Sequence, residues 1–285
     1  MICRSLQPED FEALYSTFIE AFSDYQIKIQ MTKERFNAIN IRRGLNYELS
    51  VGAFDDNKMV GFTLNGIDLW EDKLTAYDMC TGVIPEHRGK GIGNSMFAFL
   101  LPKLRMAGVK QYLLEVLRSN EAAHKLYTRK GFRETRKLEC LKITSSKLSA
   151  KTITRQDTAI RQIEKPDWSR FETFWDWNPS WQNSIDSMKR CPEEKMVYGV
   201  FHGDELRAYG ILYPESGDIP QIAVDKDFRR RGIGSLLLKE FAERAGAAGK
   251  LSIVNIDSSS KETLSFFESI GFENFAGQYE MMLDL

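Results

Sequence analysis

Cysteine is scarce in this chain: Cys3, Cys80, Cys140 and Cys191 are scattered over 285 residues without a Cys-x-x-Cys pair. That excludes a disulfide framework and a thiolate zinc site, and it fits free thiols in a reducing cytoplasm, the expected compartment. Histidine is scarcer still, and His87, His124 and His202 show neither metal spacing nor a nucleophile partner. No metal is expected. An excess of either charge is missing too, since 39 Lys plus Arg face 40 Asp plus Glu for a formal net charge of -1. A nucleic-acid partner is therefore not expected, and the isolated triplet Arg229-Arg230-Arg231 reads as serving phosphate or solvent. No apolar run approaches the ~20 residues that span a bilayer, and the chain enters a patterned segment without a basic region and apolar core before it. Neither a membrane partner nor a targeting segment is expected. With 42% apolar and 28% charged residues, the composition is that of an ordinary soluble globular protein.

What the chain does have is a repeat. Thr81 to Gly93 and Ile222 to Gly234, about 141 residues apart, each run from an apolar stretch through Arg-x-x-Gly-x-Gly into an amphipathic helix. A lone Gly-x-Gly carries no weight, because at ~7% glycine a chain of this length holds roughly one by chance. Two in matching context do. Glycine lets successive backbone N–H groups approach an anion, and the following helix adds its positive end, so the expected ligand is a polyphosphate. The repeat extends upstream: Arg4 to Phe11 matches Arg161 to Trp168, a short strand, a proline turn and a helix that Asp10 or Asp167 could cap. Paired strands follow around Asp55-Asp56-Asn57 and His202-Gly203-Asp204. After the loops, Phe97, Leu100, Leu101 and Leu104, and then Leu237, Leu238, Phe241, Ala242 and Ala245, recur at helical spacing. Pro102 should kink the first of these helices. The polar, aperiodic stretch Thr144 to Lys151 separates two expected domains, residues 1–148 and 149–285. The second is shorter by about 16 residues between its first helix and its loop, in the part that shapes a second-substrate site.

Together these pieces resemble the GCN5-related N-acetyltransferase (GNAT) superfamily. The first half carries the motif set nearly complete, in Val83-Ile-Pro-Glu-His-Arg88-Gly-Lys-Gly91-Ile-Gly93, Leu114-Glu115-Val116 and Asn120 through Gly131-Phe132. The resemblance implies an α/β (α+β) fold of two tandem domains, each with a mixed, mostly antiparallel central sheet flanked by helices and splayed between its fourth and fifth strands. It implies acetyl-coenzyme A as acyl donor, its arm paired along Thr81, Gly82 and Val83. Its pyrophosphate would lie on Arg88, Gly89, Lys90, Gly91, Ile92 and Gly93, with Asn120 and Ala123 nearby. The second half offers Ala223, Val224, Arg229, Arg230, Arg231, Gly232, Ile233 and Gly234 to the same ligand. The Glu-to-Tyr spacing within Leu-Glu-Val and Ser-Asn-x-x-Ala is similar to the ribosomal-protein N-terminal acetyltransferases.

The chemistry agrees with that resemblance. Acyl transfer to an amine needs a base and a proton donor for the departing thiolate. Glu115 sits mid-strand in an apolar run, where a charge is costly unless it faces a cleft or is paired, and it is the leading base; Asp78, one strand over, is the reserve. Tyr127, a phenol with pKa about 10, is the acid. Aligning Gly271-Phe272 with Gly131-Phe132 puts Phe267 at the Tyr127 position, Asn255 at Glu115, Ser260 at Asn120 and Thr263 at Ala123. The second half is thus expected to bind coenzyme A, recognise acceptor or mediate dimerisation without catalysing, and a homodimer is an allowed assembly. Phe174 to Trp181, with three of the five tryptophans, suits either an aromatic acceptor pocket or burial between the halves. A lysine at pKa about 10.4 is ~3.4 kcal/mol harder to deprotonate than an α-amine near 7.9, so a small-molecule or peptide α-amine is the favoured acceptor class. The competing reading is a non-catalytic acyl-coenzyme A binding protein.

Overall fold

The computed structural model describes residues 1–24, 31–148, 158–191 and 194–285. Residues 149–151 of the expected linker lie outside the described residues, so the 148/149 boundary adjoins residues whose path is not described. The first half contains β1 (Ile2–Ser5), α1 (Phe11–Ala21), α2 (Lys33–Arg43), β2 (Val51–Asp55), β3 (Lys58–Trp70) and β4 (Lys73–Val83), followed by α3 (Ile92–Met106), β5 (Gln111–Leu117), α4 (Glu121–Arg129) and β6 (Arg133–Thr144). The second half repeats the order with β7 (Thr158–Gln162), α5 (Trp168–Glu172), α6 (Ile185–Arg190), β8 (Met196–His202), β9 (Glu205–Tyr213) and β10 (Asp218–Val224), then α7 (Ile233–Arg244), β11 (Lys250–Asp257), α8 (Lys261–Ile270) and β12 (Glu273–Asp284).

Local sequence accounts for the joints. Asp56 and Asn57 take φ of 45° and 67° between β2 and β3, the geometry of a primed two-residue turn in which short polar side chains tolerate the left-handed region. Gly203 does the same between β8 and β9 at φ 61°. Asp167 caps α5, accepting from the Arg170 N–H at 3.1 Å. Asp10 does not cap α1 through its side chain, because Arg4 holds both carboxylate oxygens at 2.7 Å. Helix α3 runs on through Pro102 to Met106, carried by a buried face of Met96, Phe97, Leu100 and Leu104. The residues missing between first helix and loop show as a second helix of 6 residues where α2 has 11, and as strands β9 and β10 of 9 and 7 residues where β3 and β4 have 13 and 11.

Each half is mixed and mostly antiparallel, with one parallel pair that comes apart. Strands β4 and β5 pair from Thr75–Gln111 to Asp78–Leu114 and then diverge; β10 and β11 pair at Asp218–Ser252. A bulge at Met79, where the β3 partner steps from Asn65–Asp78 to Leu64–Cys80, adds local twist as β4 leaves its neighbour.

The repeat pattern did not disclose that the two sheets are one. The strand order is β1-β2-β3-β4-β5-β12-β6-β11-β10-β9-β8-β7. The last strand of the second half is inserted between β5 and β6, and β6 in turn pairs with β11. Side chains follow the backbone: Met281 and Met282 of β12 lie in the first-half core, while Leu141 and Ile143 of β6 lie in the second-half core. Each buried side chain of that size contributes ~2 kcal/mol, so four exchanged ones join the stability of the halves. Thermal unfolding of the whole chain is expected to show a single transition, and residues 1–148 expressed alone, with both flanks of the β12 slot exposed, should fail to unfold cooperatively. A stable 1–148 fragment would contradict this coupling.

Candidate functional site

The two glycine loops have the same backbone shape. Gly89 and Gly91 lie at φ 74° and 80°, and Arg230 and Gly232 at 59° and 81°. A Cβ added at Gly89 or Gly91 would meet no atom within 4 Å, so the first loop faces open space of the kind an anion could enter. The leading arginines are engaged as buttresses. Arg88 donates to the Val83 carbonyl at 3.1 Å and pairs with Asp24 at 2.6 Å, and Arg229 donates to the Val224 carbonyl at 3.1 Å and pairs with Asp176 at 3.0 Å. Backbone amides and the following Lys90 or Arg230 are thereby left to meet a phosphate. Asn120 caps α4, its Oδ1 accepting from the Ala123 N–H at 3.2 Å.

Where β4 and β5 part, alternation divides the polar side chains between two faces. On the face covered by α3 and α4, Tyr127 donates to Asp78 Oδ2 at 3.3 Å and Thr81 donates to the same oxygen at 2.8 Å. Thr81 also meets Thr63 at 3.0 Å, and Tyr112 donates to Asn65 at 2.7 Å. On the opposite face, Tyr77 donates to Glu115 Oε2 at 2.5 Å and Gln182 donates to it at 3.3 Å. Tyr127 and the reserve base thus touch directly, whereas Glu115 approaches the parting strands from the other side. Asp78 Oδ1 and Glu115 Oε1 are both buried without a hydrogen-bond partner among the described residues. Such orphaned carboxylate oxygens are costly and need a further donor.

Burial dominates the electrostatics. It pushes Asp78 up to about 7, against hydrogen bonds from Thr81 and Tyr127 that pull the other way. Glu115 is raised first by burial, is opposed by the Tyr77 hydrogen bond, and is raised again by Glu280, its cross-strand partner on β12. Arg136 neutralises Glu280 through two hydrogen bonds at 2.9 and 2.5 Å. Tyr127 is held well above 10 by burial and by the Asp78 charge.

Several residues of this site carry no local signal in the sequence. Trp181 stacks on Tyr77 with ring centroids 5.2 Å apart and donates to the Arg43 carbonyl at 3.0 Å; Gln182 beside it accepts from Arg43, which also donates to the Met79 carbonyl at 3.3 Å. The second half therefore supplies a wall of the first half's site. The tryptophan-rich segment accordingly divides between its two expected roles. Trp181 is buried between the halves, whereas Trp175, whose indole bonds the Tyr209 hydroxyl at 2.5 Å, and Trp177 line a cavity of the second half.

That cavity, about 810 Å³, opens between β10 and β11 from the Arg229–Gly234 loop to Trp175 and Tyr209. Phe267 occupies the place of Tyr127: each lies in the core and its carbonyl accepts from the phenylalanine five residues on, Phe272 or Phe132. Asn255, at φ 64° on a bulge of β11, bonds Ser180 at 3.0 Å and Gln278 at 2.6 Å in place of a carboxylate. No group of His, Cys, Asp and Glu among the described residues is arranged to hold a metal, and no described helix is long and apolar enough to cross a membrane.

Comparison with known proteins gives a family match in each half. Residues 11–132 match the acetyltransferase (GNAT) family and residues 193–274 match an acetyltransferase (GNAT) domain. Streptothricin acetyltransferase of Streptomyces lavendulae is 36% identical over 84 residues, 30% of this chain and 42% of that protein, so the chain spans less than half the length of that relative. The ribosomal protein bS18-alanine N-acetyltransferase of Escherichia coli K12 is 28% identical over 130 residues, covering 46% and 79%. The whole fold is similar to a tandem GNAT protein from the clavulanic acid biosynthesis pathway, with a TM-score of 0.76 over 99% of this chain and 98% of that one at 12% identity.

The raised pKa of Asp78 generates a stability prediction. The native chain keeps a proton that the unfolded chain, with an ordinary carboxyl near 3.8, has released, so the stability this group contributes is complete below pH ~4 and lost as pH rises through about 7. Asp78→Asn is expected to flatten that dependence and to raise stability at pH 8 by up to a few kcal/mol, at ~1.4 kcal/mol per unit. Denaturant titrations at pH 5 and 8 check it, and an unchanged pH dependence in the variant would show that Asp78 is not the titrating group.

Proposed function

The chain belongs to the acetyltransferase (GNAT) family as a tandem member, and from that premise we propose that its first half transfers an acetyl group from acetyl-coenzyme A to a primary amine, with Glu115 as base and Tyr127 as acid. The observation that carries the reading is the placement of two orphaned, buried carboxylates and one phenol around the parting of β4 and β5. A carboxylate oxygen left without a donor is suited to receive one from an incoming ammonium or amine. Acetyl-coenzyme A supplies the thioester carbon when bound, and the loop from Arg88 to Gly93 with the start of α3 supports its phosphates.

Each residue has a defined task. Burial raises the pKa of Glu115, which makes it a stronger base than an ordinary carboxylate and favours proton acceptance. Tyr77 and Gln182 fix the orientation of its Oε2, leaving Oε1 to the acceptor. Tyr127 keeps its proton at any working pH and so holds it at the place where the departing thiolate would form. Asp78 holds that hydroxyl in place and is the reserve base. The Trp181–Gln182 segment makes the second half a wall of the acceptor site. The similarity to a bS18-alanine N-acetyltransferase and the weaker proton affinity of an α-amine both support a small-molecule or peptide α-amine as acceptor.

A second reading applies to the second half alone. Its cavity of about 810 Å³ is in the size range of small-ligand sites and begins at the second phosphate loop, yet Phe267 and Asn255 replace acid and base. We propose that it binds a coenzyme A thioester without transferring the acyl group.

Thiol release from acetyl-coenzyme A, measured against peptide α-amines, amino acids, polyamines and aminoglycosides, tests the assignment. Tyr127→Phe and Glu115→Gln are each expected to lower kcat by ~10²-fold or more, with Glu115→Gln also removing the rise of kcat from acid pH. Tight binding of acetyl-coenzyme A without turnover on any amine would overturn the transfer reading in favour of an acyl-coenzyme A binding protein.

A further inference from the structure

A second, smaller chamber of about 190 Å³ lies where the halves meet, between α2 and the closed end of the β10/β11 cleft. Its described lining holds three cations, Arg35, Arg42 and Arg43, against one carboxylate, Asp218. Asp218 is already committed. It accepts from Ser216 at 2.7 Å, from Ser252, and from Arg35 at 3.3 Å in a half-exposed ion pair. The Arg42 guanidinium lies 4.9 Å over the Tyr213 ring. Arg43 uses its two terminal nitrogens on the Met79 carbonyl and the Gln182 amide oxygen, both neutral, and its Nε is buried without a hydrogen-bond partner among the described residues. Its hydrogen-bond partners are all neutral, and the carboxyl its charge acts on, Glu115, lies beyond Gln182, so the unpartnered Nε is an incomplete arrangement in an interface.

We propose that this chamber is a binding site for a compact carboxylate, received by Arg43. The size excludes a nucleotide and suits an amino-acid-sized molecule, since sites for drug-sized ligands begin near ~300 Å³. The fork geometry of a guanidinium matches a carboxylate, and the excess positive charge of the described lining attracts an anion. Ile39, Ile219, Pro220 and Val254 complete the walls, so a short aliphatic tail is accommodated beside the charge. The site exists only in the joined molecule, because Arg43 comes from the first half and the opposite wall from the second.

The position connects it to the proposed base. Gln182, held by Arg43, donates to Glu115 at 3.3 Å, so a carboxylate on Arg43 sits one side chain away from Glu115. Two sources share this chemistry: the carboxylate of an amino acid that is itself the acceptor, or a carboxylate that binds without reacting. Only the first of these rests on transfer by the first half.

Calorimetric titration of the full chain, without any acyl donor, with L-leucine and with 4-methylpentanoate separates binding from turnover. Saturable binding of at least one probe, absent for leucine methyl ester, is the expected result. Arg43→Gln should weaken it tenfold or more, Arg35→Gln by less, and Ile39→Trp, which fills the chamber, should abolish it; the last two decide the matter if the Arg43 variant does not fold. Acetylation of leucine with competitive inhibition by 4-methylpentanoate identifies the acceptor, and binding of both probes without acetylation identifies a non-reacting ligand. No saturable heat for either acid up to ~10 mM, or binding undiminished by Arg35→Gln and Ile39→Trp, overturns the proposal.

Discussion

The insertion of β12 between β5 and β6 is the constraint on which the rest of the molecule depends. A sheet edge must be paired, covered or blunted, and here each half provides the strand that the other lacks. The exchange welds two splayed sheets into one and fixes the angle at which the halves meet. From that angle follows the approach of Trp181 and Gln182 to Tyr77, Arg43 and Glu115. It also places Glu280 of β12 directly across from Glu115, so the charge environment of the proposed base is set by a strand from the far end of the chain.

Polar burial is the second organising theme. Two carboxyl groups, Asp78 and Glu115, are kept in a largely apolar sheet at the point where its strands separate, each with one oxygen satisfied and one not. Such groups destabilise a fold unless something else requires them. In the second half the Glu115 position holds Asn255, satisfied by neutral partners, and the Tyr127 position holds Phe267, which needs none. The contrast within one molecule separates the cost of function from the needs of the fold: the same backbone is built once with expensive side chains and once without them.

Much of this was legible in the sequence. The doubled Arg-x-x-Gly-x-Gly, the hairpins at Asp56-Asn57 and Gly203, and the alignment of Phe267 with Tyr127 rest on local rules of turn chemistry and periodicity, and each appears in the structure as read. What was not legible depends on distant pairing. Nothing in the pattern of Glu273 to Asp284 says which strands it joins, since alternation fixes faces and not neighbours. Tyr77, Arg43, Gln182 and Glu280 acquire their roles only through that pairing. The leading arginines were read as phosphate ligands from their motif, and the structure finds them tied to Asp24 and Asp176 and to the carbonyls of Val83 and Val224. The tryptophan cluster was ambiguous for a physical reason, because large aromatics suit both interfaces and pockets, and the segment proves to serve both.

The central claim is an asymmetry: two glycine loops of one backbone shape, of which only the first serves transfer. A crystal structure of the full chain grown with coenzyme A tests it most directly. The account predicts coenzyme A in the first half with its thiol where β4 and β5 part, between Glu115 and Tyr127, and a second molecule in the β10/β11 cleft with Phe267 beside its thiol. Coenzyme A confined to the second cleft, with the gap between β4 and β5 empty at saturating concentration, would contradict it.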